Sequence, residues 1–228
     1  MYPSNPPELA NISLEAGTTN ERCSSSTLIF FITGNPGLIE YYTIYLSTLQ
    51  RLLQPTAKAQ SCHIHLYGQS LAGFSDDLTS AVFRPYSLEE QIQRLEKTLE
   101  QVVTNTSRED GKRYDNIILI GHSVGAYMVL EIIQRIRLSL SQVEITAGIL
   151  LFPTITHIAK SPSGITISKL FKWRNAPQKL GSILQRAISL IPANLLVRLV
   201  GLVTRMPTEF AKVTASFLIS KMGIWQAL

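Results

Sequence analysis

The stretch IILIGHSVGAYMVL, residues 117–130, constrains the fold more than any other part of the sequence. A short run of Ile and Leu leads into Gly121, and apolar residues return after Gly125 at helical spacing. This pattern predicts a buried strand that turns sharply into a helix, and a β-carbon at either glycine would crowd such a turn. The turn would hold Ser123 at its apex, above the carboxyl edge of a sheet.

Strand-like and helix-like segments alternate along the first part of the chain. Runs rich in Ile, Leu and Phe predict buried strands at residues 27–33, 62–67, 116–121 and 145–152. Helical patterns lie between them, and Ser87 with Glu90 forms a capping-box pattern at the start of one helix. The alternation predicts an α/β fold with a mainly parallel sheet and helices on both faces.

Apolar residues at helical spacing predict the buried faces of three helices. These residues are Tyr41, Ile44, Tyr45, Leu49 and Leu52 in the first helix, Ile92, Leu95, Leu99 and Val102 in the second, and Ala126, Val129, Leu130 and Ile133 in the third.

Charge divides the sequence into two parts. Residues 1–164 hold 12 Lys and Arg against 15 Asp and Glu, whereas residues 165–228 hold 9 against one, which gives net charges of −3 and +8. We therefore predict an α/β core over residues 1–164 and a basic, apolar helical segment over residues 165–228. The prolines near the N-terminus predict a loosely ordered lead-in over residues 1–26. No further strand pattern follows residues 145–152, so the sheet is expected to be incomplete at its C-terminal edge.

Ser123 is the candidate nucleophile. The helix that starts after it offers unpaired amides and a positive dipole end, so the Val124 amide is expected to stabilise an oxyanion. A second donor is expected from TGNPG, residues 33–37, where Asn35 precedes a proline that has no amide hydrogen and Gly34 allows close approach. The alternative for both segments is an ordinary glycine-rich turn without chemistry.

Three segments together resemble one family. ITGNPGLIEYY, GHSVGAY and LLFPTITHIAKSPSG are similar to the lipid droplet-associated hydrolases, and YSLEEQI adds to a match over about residues 27–165. The resemblance implies the α/β-hydrolase fold, Ser123 as the nucleophile, and TGNPG in place of the usual His-Gly oxyanion loop. It also implies apolar ester substrates, such as sterol esters or acylglycerols, and a place on the cytosolic face of lipid droplets and the endoplasmic reticulum.

The other members of a catalytic triad are not evident. In this fold an acid and then a histidine follow the nucleophile on later loops. After Ser123 the sequence offers Glu131, Glu144 and Glu209 as acids and His157 as the only histidine. His157 is weighed as a base and as a structural loop histidine, and the second interpretation is favoured. Since loss of the triad partners removes several orders of magnitude in rate, we predict a C-terminally shortened family member with weak or no activity.

The last segment suggests contact with lipid. In ISLIPANLLVRLVGLVTRMPTEF a stripe of Asn194, Arg198, Gly201 and Arg205 interrupts a helix that otherwise consists of Leu and Val. Such a helix can lie in a lipid surface or pack as a cap over the active-site cleft, and both interpretations stay open. We expect residues 176–228 to contact a lipid droplet or membrane surface. Nucleic acid is not expected as a partner, because the basic residues alternate with Leu, Val and Ile.

Three functions are consistent with these patterns. The first is a serine esterase, the second is a non-catalytic lipid-surface protein derived from a hydrolase, and the third is an acyltransferase or thioesterase on the same fold. No cofactor is expected. No metal site is expected either, since His63 and His65 share a strand face without an apparent third ligand.

Overall fold

The structure of the protein is a computed structural model that describes most of the chain. The described residues are 10–17, 24–74, 84–105, 114–138, 144–156, 160, 165, 183, 186–188, 190–220 and 223–227.

The chain forms two compact units. Ala10–Ser70 and Ser87–Ile155 form one, called the core unit, while Met1–Leu9, Leu71–Tyr86 and Thr156–Leu228 form the other, called the helical unit. The last boundary between the units thus falls between Ile155 and Thr156 rather than at residue 164. The internal segment Leu71–Tyr86 belongs to the helical unit, because contacts and not charge define the units.

A five-stranded sheet organises the core unit. Its strands are β1 Asn11–Gly17, β2 Ser25–Ile32, β3 Cys62–Gln69, β4 Asn116–His122 and β5 Ala147–Leu151. They lie in the order β1-β3-β2-β4-β5, with β1 antiparallel to β3 and all other neighbours parallel. The predicted mainly parallel α/β sheet is therefore confirmed, and among the described residues β5 pairs with β4 alone.

The prediction of a loosely ordered lead-in over residues 1–26 is wrong where β1 forms. Ile12, Leu14 and Ala16 alternate with polar residues and turn toward the core, as in a strand with one solvated face. The two ends of β1 pair as Asn11 with Gln69 and Gly17 with His63. Pairing with β3 therefore orders this segment in spite of the prolines that precede it.

Helices cover both faces of the sheet. A 3₁₀ helix at Ile39–Tyr42 leads into α1 Thr43–Ala59, and α2 Leu88–Asn105 and α3 Val124–Leu138 follow along the chain. The capping box at the start of α2 is confirmed, because the Ser87 N–H donates to Glu90 Oε2 at 2.8 Å and the Glu90 N–H donates to Ser87 Oγ at 3.2 Å.

Alternation along β2 shows which helix lies on which face. Phe31 packs in one cluster with Leu46 of α1. Phe30 points to the opposite face, where its strand neighbour Leu119 is paired with Gly148. A β-carbon at Gly148 would contact Ile133 and Val129 of α3, so α3 covers that second face.

The predicted buried face of α1 is partly wrong. Leu52 and Ile44 are exposed, and the helix buries Leu46 and Ala57 with Leu49 partly covered. The predicted positions and the observed buried positions both repeat at helical spacing. Packing against Phe31 determines that the observed set is the buried one. Leu130 of α3 is likewise exposed, whereas the face predicted for α2 is buried at Ile92, Leu95 and Leu99.

Short helices make up the described C-terminal part of the helical unit. They are α4 Ala193–Thr204, α5 Thr208–Ile219 and α6 Gly223–Ala227. Their small apolar cluster contains Ile188, Leu196, Val200, Ala211, Ala215 and Ile224. No helix in the described parts of the chain has both the length and the apolar character needed to cross a membrane.

Candidate active site

Ser123 occupies a sharp turn between β4, which ends at His122, and α3, which begins at Val124. Its φ of +54° lies in the left-handed region that few residues other than glycine adopt. The Ser123 N–H donates to the Leu151 carbonyl at 2.9 Å, and the Ser123 carbonyl accepts the Thr154 N–H at 3.1 Å. The end of β5 and the loop after it therefore hold the backbone of the turn in this conformation.

The two glycines of the turn lie where side chains do not fit. A β-carbon at Gly121 would lie 2.3 Å from the carbonyl oxygen of Gly125. A β-carbon at Gly125 would lie 2.4 Å from the carbonyl oxygen of Thr33, at the end of β2. Because backbone atoms cannot yield as a side chain can, the turn requires glycine at both positions.

The loop after β2 lies directly against this turn. A β-carbon at Gly34 would be 2.9 Å from His122 Nδ1 and 3.2 Å from Ser123 Cβ. The Gly34 N–H donates to the Tyr42 hydroxyl at 3.1 Å, so the next N–H of the loop is that of Asn35. Val124 is the first residue of α3, and its N–H has no acceptor within the helix. The structure thus brings the two predicted oxyanion segments to the same place as Ser123.

The Ser123 hydroxyl is half-buried and lies 3.1 Å from Thr154 Oγ1. Within the described residues this is the only hydrogen bond of the Ser123 side chain. Thr154 was not a predicted site residue. Its place just after a strand at the carboxyl edge of the sheet is the signal that could have identified it.

His122 links the turn to the start of α1. Its Nδ1 is 2.9 Å from the Tyr42 hydroxyl, and its ring meets Phe152 edge-on at a centroid distance of 6.1 Å. The Phe152 side chain is 84% exposed, so an apolar ring stands at the surface beside the turn. Burial raises the pKa of Tyr42, and the hydrogen bond from the Gly34 N–H lowers it in part. The hydroxyl is therefore protonated at neutral pH.

Among the described residues of the core unit, neither Glu131 nor Glu144 forms a hydrogen bond with Ser123. Glu131 lies on α3 and forms an ion pair with Arg135 at 3.8 Å. Glu209 is in the first turn of α5 in the helical unit, and Glu144 is an exposed residue before β5. His157 lies outside the described residues.

The paired histidines of β3 have local partners. His65 bonds Ser13 through Nε2 at 2.8 Å and the Tyr114 hydroxyl through Nδ1. His63 is buried, with Nε2 3.8 Å from a carboxylate oxygen of Glu15. Burial lowers the pKa of His65 and the nearby Glu15 opposes this shift, so the ring is neutral at pH 7. Both side chains connect β3 to neighbouring elements.

Comparison with known proteins identifies the relatives of this chain. A family model described as lipid-droplet associated hydrolase matches residues 25–228. A lipid droplet-associated hydrolase from Dictyostelium discoideum is 29% identical over 140 residues, which are 61% of this chain and 42% of that protein. The protein of the same name from Homo sapiens is 27% identical over 152 residues, which are 64% of this chain and 43% of that protein.

A solved structure, a putative hydrolase from Agrobacterium vitis S4, matches 65% of this chain and 53% of its own with a TM-score of 0.43 and 14% identity. This chain spans less than half of the length of the two curated relatives from Dictyostelium discoideum and Homo sapiens. Because the family model covers most of the sequence, the chain belongs to the lipid-droplet associated hydrolase family.

Proposed function

We propose that this chain carries the nucleophile and oxyanion hole of a serine hydrolase for apolar esters. The observation that supports this most is the Ser123 turn, with its φ of +54° and the Gly34 loop packed against it. A serine in that conformation projects its oxygen clear of the strand, next to the helix N-terminus. Membership of a hydrolase family supports the same reaction class.

The proposed reaction has two steps. Ser123 Oγ forms a bond to the ester carbonyl carbon, its proton passes to water, and the amides of Val124 and Asn35 bind the oxyanion. The bond to the alcohol oxygen then breaks, and the alcohol leaves with a proton from water. In the second step water attacks the acyl carbonyl, the carboxylic acid leaves, and the Ser123 hydroxyl is restored.

The expected rate is low. Thr154, the only described partner of the Ser123 hydroxyl, carries a hydroxyl that is too weak a base to take the proton. An oxyanion hole and substrate binding without triad partners still leave about 10³–10⁴-fold catalysis over water. We therefore expect slow acylation rather than rapid turnover.

Apolar esters are the proposed substrate class. The exposed Phe152 ring next to His122 offers an apolar surface for an acyl chain or a sterol. Relatives named lipid droplet-associated hydrolase support a neutral lipid as the source of the ester.

A fluorophosphonate probe, which phosphonylates an activated serine, tests the proposal. We expect slow labelling of the wild type and complete loss of labelling in Ser123→Ala. Ser47→Ala is the matched control, since Ser47 is an exposed serine whose hydroxyl bonds the Ile44 carbonyl on α1. Absence of labelling in a folded wild type would support a non-catalytic function instead.

Association with a lipid surface is a second part of the proposal, supported by helix α4. This helix buries Leu196 and Val200 against its neighbours and exposes a different apolar face. The exposed face carries Leu195, Leu199, Leu202 and Val203, of which Leu202 is 78% and Val203 80% exposed. A helix in water gains nothing from such a face, whereas a lipid surface buries it.

Basic side chains flank the same helix. Arg198 lies at the edge of the apolar face, and Arg205 follows the helix in a left-handed conformation with φ of +55°. Gly201, predicted to lie in the polar stripe, instead lies near Ala211 of α5. Each Lys or Arg near an anionic surface adds roughly 1 kcal/mol of attraction. We propose that residues 176–228 hold the chain on the cytosolic face of lipid droplets and the endoplasmic reticulum.

Flotation with phosphatidylcholine-coated triacylglycerol droplets tests this surface. We expect Leu202→Glu combined with Val203→Glu to reduce the bound fraction several-fold, because a charged side chain resists burial in hydrocarbon. Leu52→Glu is the matched control, since Leu52 is a 65% exposed leucine on α1 of the core unit. Equal loss of flotation in both variants, with both still folded, would count against α4 as the binding surface.

A further inference from the structure

We infer that Tyr42 is a positioning residue that holds the oxyanion loop against the nucleophile turn, acting through Gly34 and His122. This inference rests on the proposed function. The Tyr42 hydroxyl meets both segments at once, since it accepts the Gly34 N–H at 3.1 Å and lies 2.9 Å from His122 Nδ1.

The atoms fix the direction of the hydrogen bond from Gly34, and the tautomer of His122 sets the direction of the other. A tyrosine hydroxyl has one hydrogen to donate and lone pairs to accept. The Gly34 N–H can only donate, so the hydroxyl accepts it, and we assign the hydroxyl hydrogen to His122 Nδ1 as part of the same inference. A His122 ring that accepts this hydrogen at Nδ1 carries its own proton on Nε2. Two hydrogen bonds thus connect the Gly34 N–H, the Tyr42 hydroxyl and His122 Nδ1.

The Tyr42 ring is fixed independently of these bonds. It packs against Phe31 at a centroid distance of 4.7 Å and meets His122 edge-on at 5.6 Å. The 3₁₀ helix that presents it is anchored at its first residue, where the buried Ile39 N–H donates to Ser70 Oγ at 2.9 Å. A hydroxyl on so constrained a ring has a defined position, which the loop and the turn then share.

The consequence for chemistry concerns the amide after Gly34. The bond from the Gly34 N–H to Tyr42 fixes the Thr33–Gly34 peptide, which directly precedes the peptide that carries the Asn35 N–H. An oxyanion donor works only when it is already in place as charge develops. Removing the Tyr42 hydroxyl leaves the Asn35 N–H present, but the loop that carries it is no longer held by this bond. The expected loss is therefore in the acylation step rather than in binding.

Phosphonylation kinetics of the full chain test the inference. We expect Tyr42→Phe to lower the maximal labelling rate by about 10- to 100-fold, less than the roughly 10²–10³-fold cost of removing an oxyanion donor. The probe concentration at half-maximal rate should not change. Tyr45→Phe is the matched control, because its ring also contacts Phe31 at 5.8 Å and its hydroxyl makes no hydrogen bond among the described residues.

The outcomes separate this inference from the proposed function. If the wild type is not labelled, the proposed function fails. If the wild type is labelled and Tyr42→Phe reacts as fast as Tyr45→Phe, the positioning role fails while the function stands. Nitrogen-15 NMR of histidine-labelled protein, assigned with His122→Asn, gives a readout without catalysis. We expect the His122 proton on Nε2 in the wild type, and a proton on Nδ1 would overturn the inference.

Discussion

The core unit and the helical unit bury their apolar side chains to different degrees. The largest fully buried side chains of the described chain, among them Phe30, Leu99 and Leu119, all belong to the core unit. In the helical unit the cluster around Leu196 is small, and the neighbouring Leu202 stands in solvent. Both units contain segments rich in Leu, Ile and Val, so composition does not explain the contrast.

The number of covering layers explains it. A strand in the sheet has helices on both faces, whereas α4 packs on one side against α5. Side-chain capping differs between individual helices, and α1 of the core unit has no side-chain cap. A reciprocal pair of side-chain bonds caps α2, while α4 and α5 follow prolines that supply no side-chain cap. The comparison indicates that the core unit is built to fix a site and that the helical unit is built to present a surface.

The largest effect should come from the sheet core. Phe30→Ala removes a fully buried ring that stacks on Tyr67 at 5.6 Å, and we expect a loss of about 3–5 kcal/mol. Leu196→Ala in the helical unit should cost about 2 kcal/mol, the low end for a buried leucine, because its cluster is small. Hydrogen exchange of each unit measures both losses. A larger loss for Leu196→Ala would reverse the contrast.

The next effect concerns glycine at the site. Gly125→Ala places a β-carbon 2.4 Å from a backbone oxygen, and we expect a cost of about 1–3 kcal/mol together with loss of Ser123 labelling. Gly148→Ala on β5 is the control, because its β-carbon would meet the movable end of Ile133 at 2.9 Å. Urea titration and probe labelling measure the two variants. Similar behaviour of both would show that the turn tolerates a side chain.

Capping provides a smaller test. Ser87→Ala removes the acceptor of the Glu90 N–H, and we expect α2 to lose about 1 kcal/mol of local stability. Thr208→Ala at the start of α5 should change stability by less than about 0.5 kcal/mol, since no side chain caps that helix. Amide exchange in the first turn of each helix measures the difference. Equal changes would remove capping from the comparison.

The smallest effect is a pH dependence at the surface of the core unit. Arg135 holds Glu89 through two hydrogen bonds, at 2.8 and 2.6 Å, and lowers the pKa of Glu89 from 4.5 to about 2. A lowered folded pKa gives stability that is present above pH 4.5 and lost as pH falls toward 2. Because Glu89 is exposed, we expect Tm measured against pH to fall only slightly less steeply over that window in Glu89→Gln than in the wild type.

Glu100→Gln is the control for this pH effect. Glu100 is an exposed acid on the same helix, and its carboxylate makes no ion pair among the described residues. Its Tm curve should follow that of the wild type between pH 4.5 and 2. Identical curves for the two variants would show that the pair with Arg135 adds no stability.

Local patterns carried much of the fold prediction. The parallel strands β2 to β5 and the capping box of α2 lie at or within a few residues of their predicted positions. The turn at Ser123 also follows from short-range sterics, since glycines, strand and helix are adjacent in sequence. What failed was the choice between equivalent patterns. Two sets of apolar positions on α1 repeat at helical spacing, and only contact with Phe31 distinguishes them.

By itself the sequence determined the alternation of strands and helices, the family, and the serine at the sharp turn, because each depends on neighbouring residues or on short motifs. Tertiary structure alone decided the pairing of β1 with β3, the contact between Ser123 and Thr154, and the link from Tyr42 to His122. These partners are far apart in sequence. They meet only when strand register and helix packing bring the ends of separate elements to one edge of the sheet.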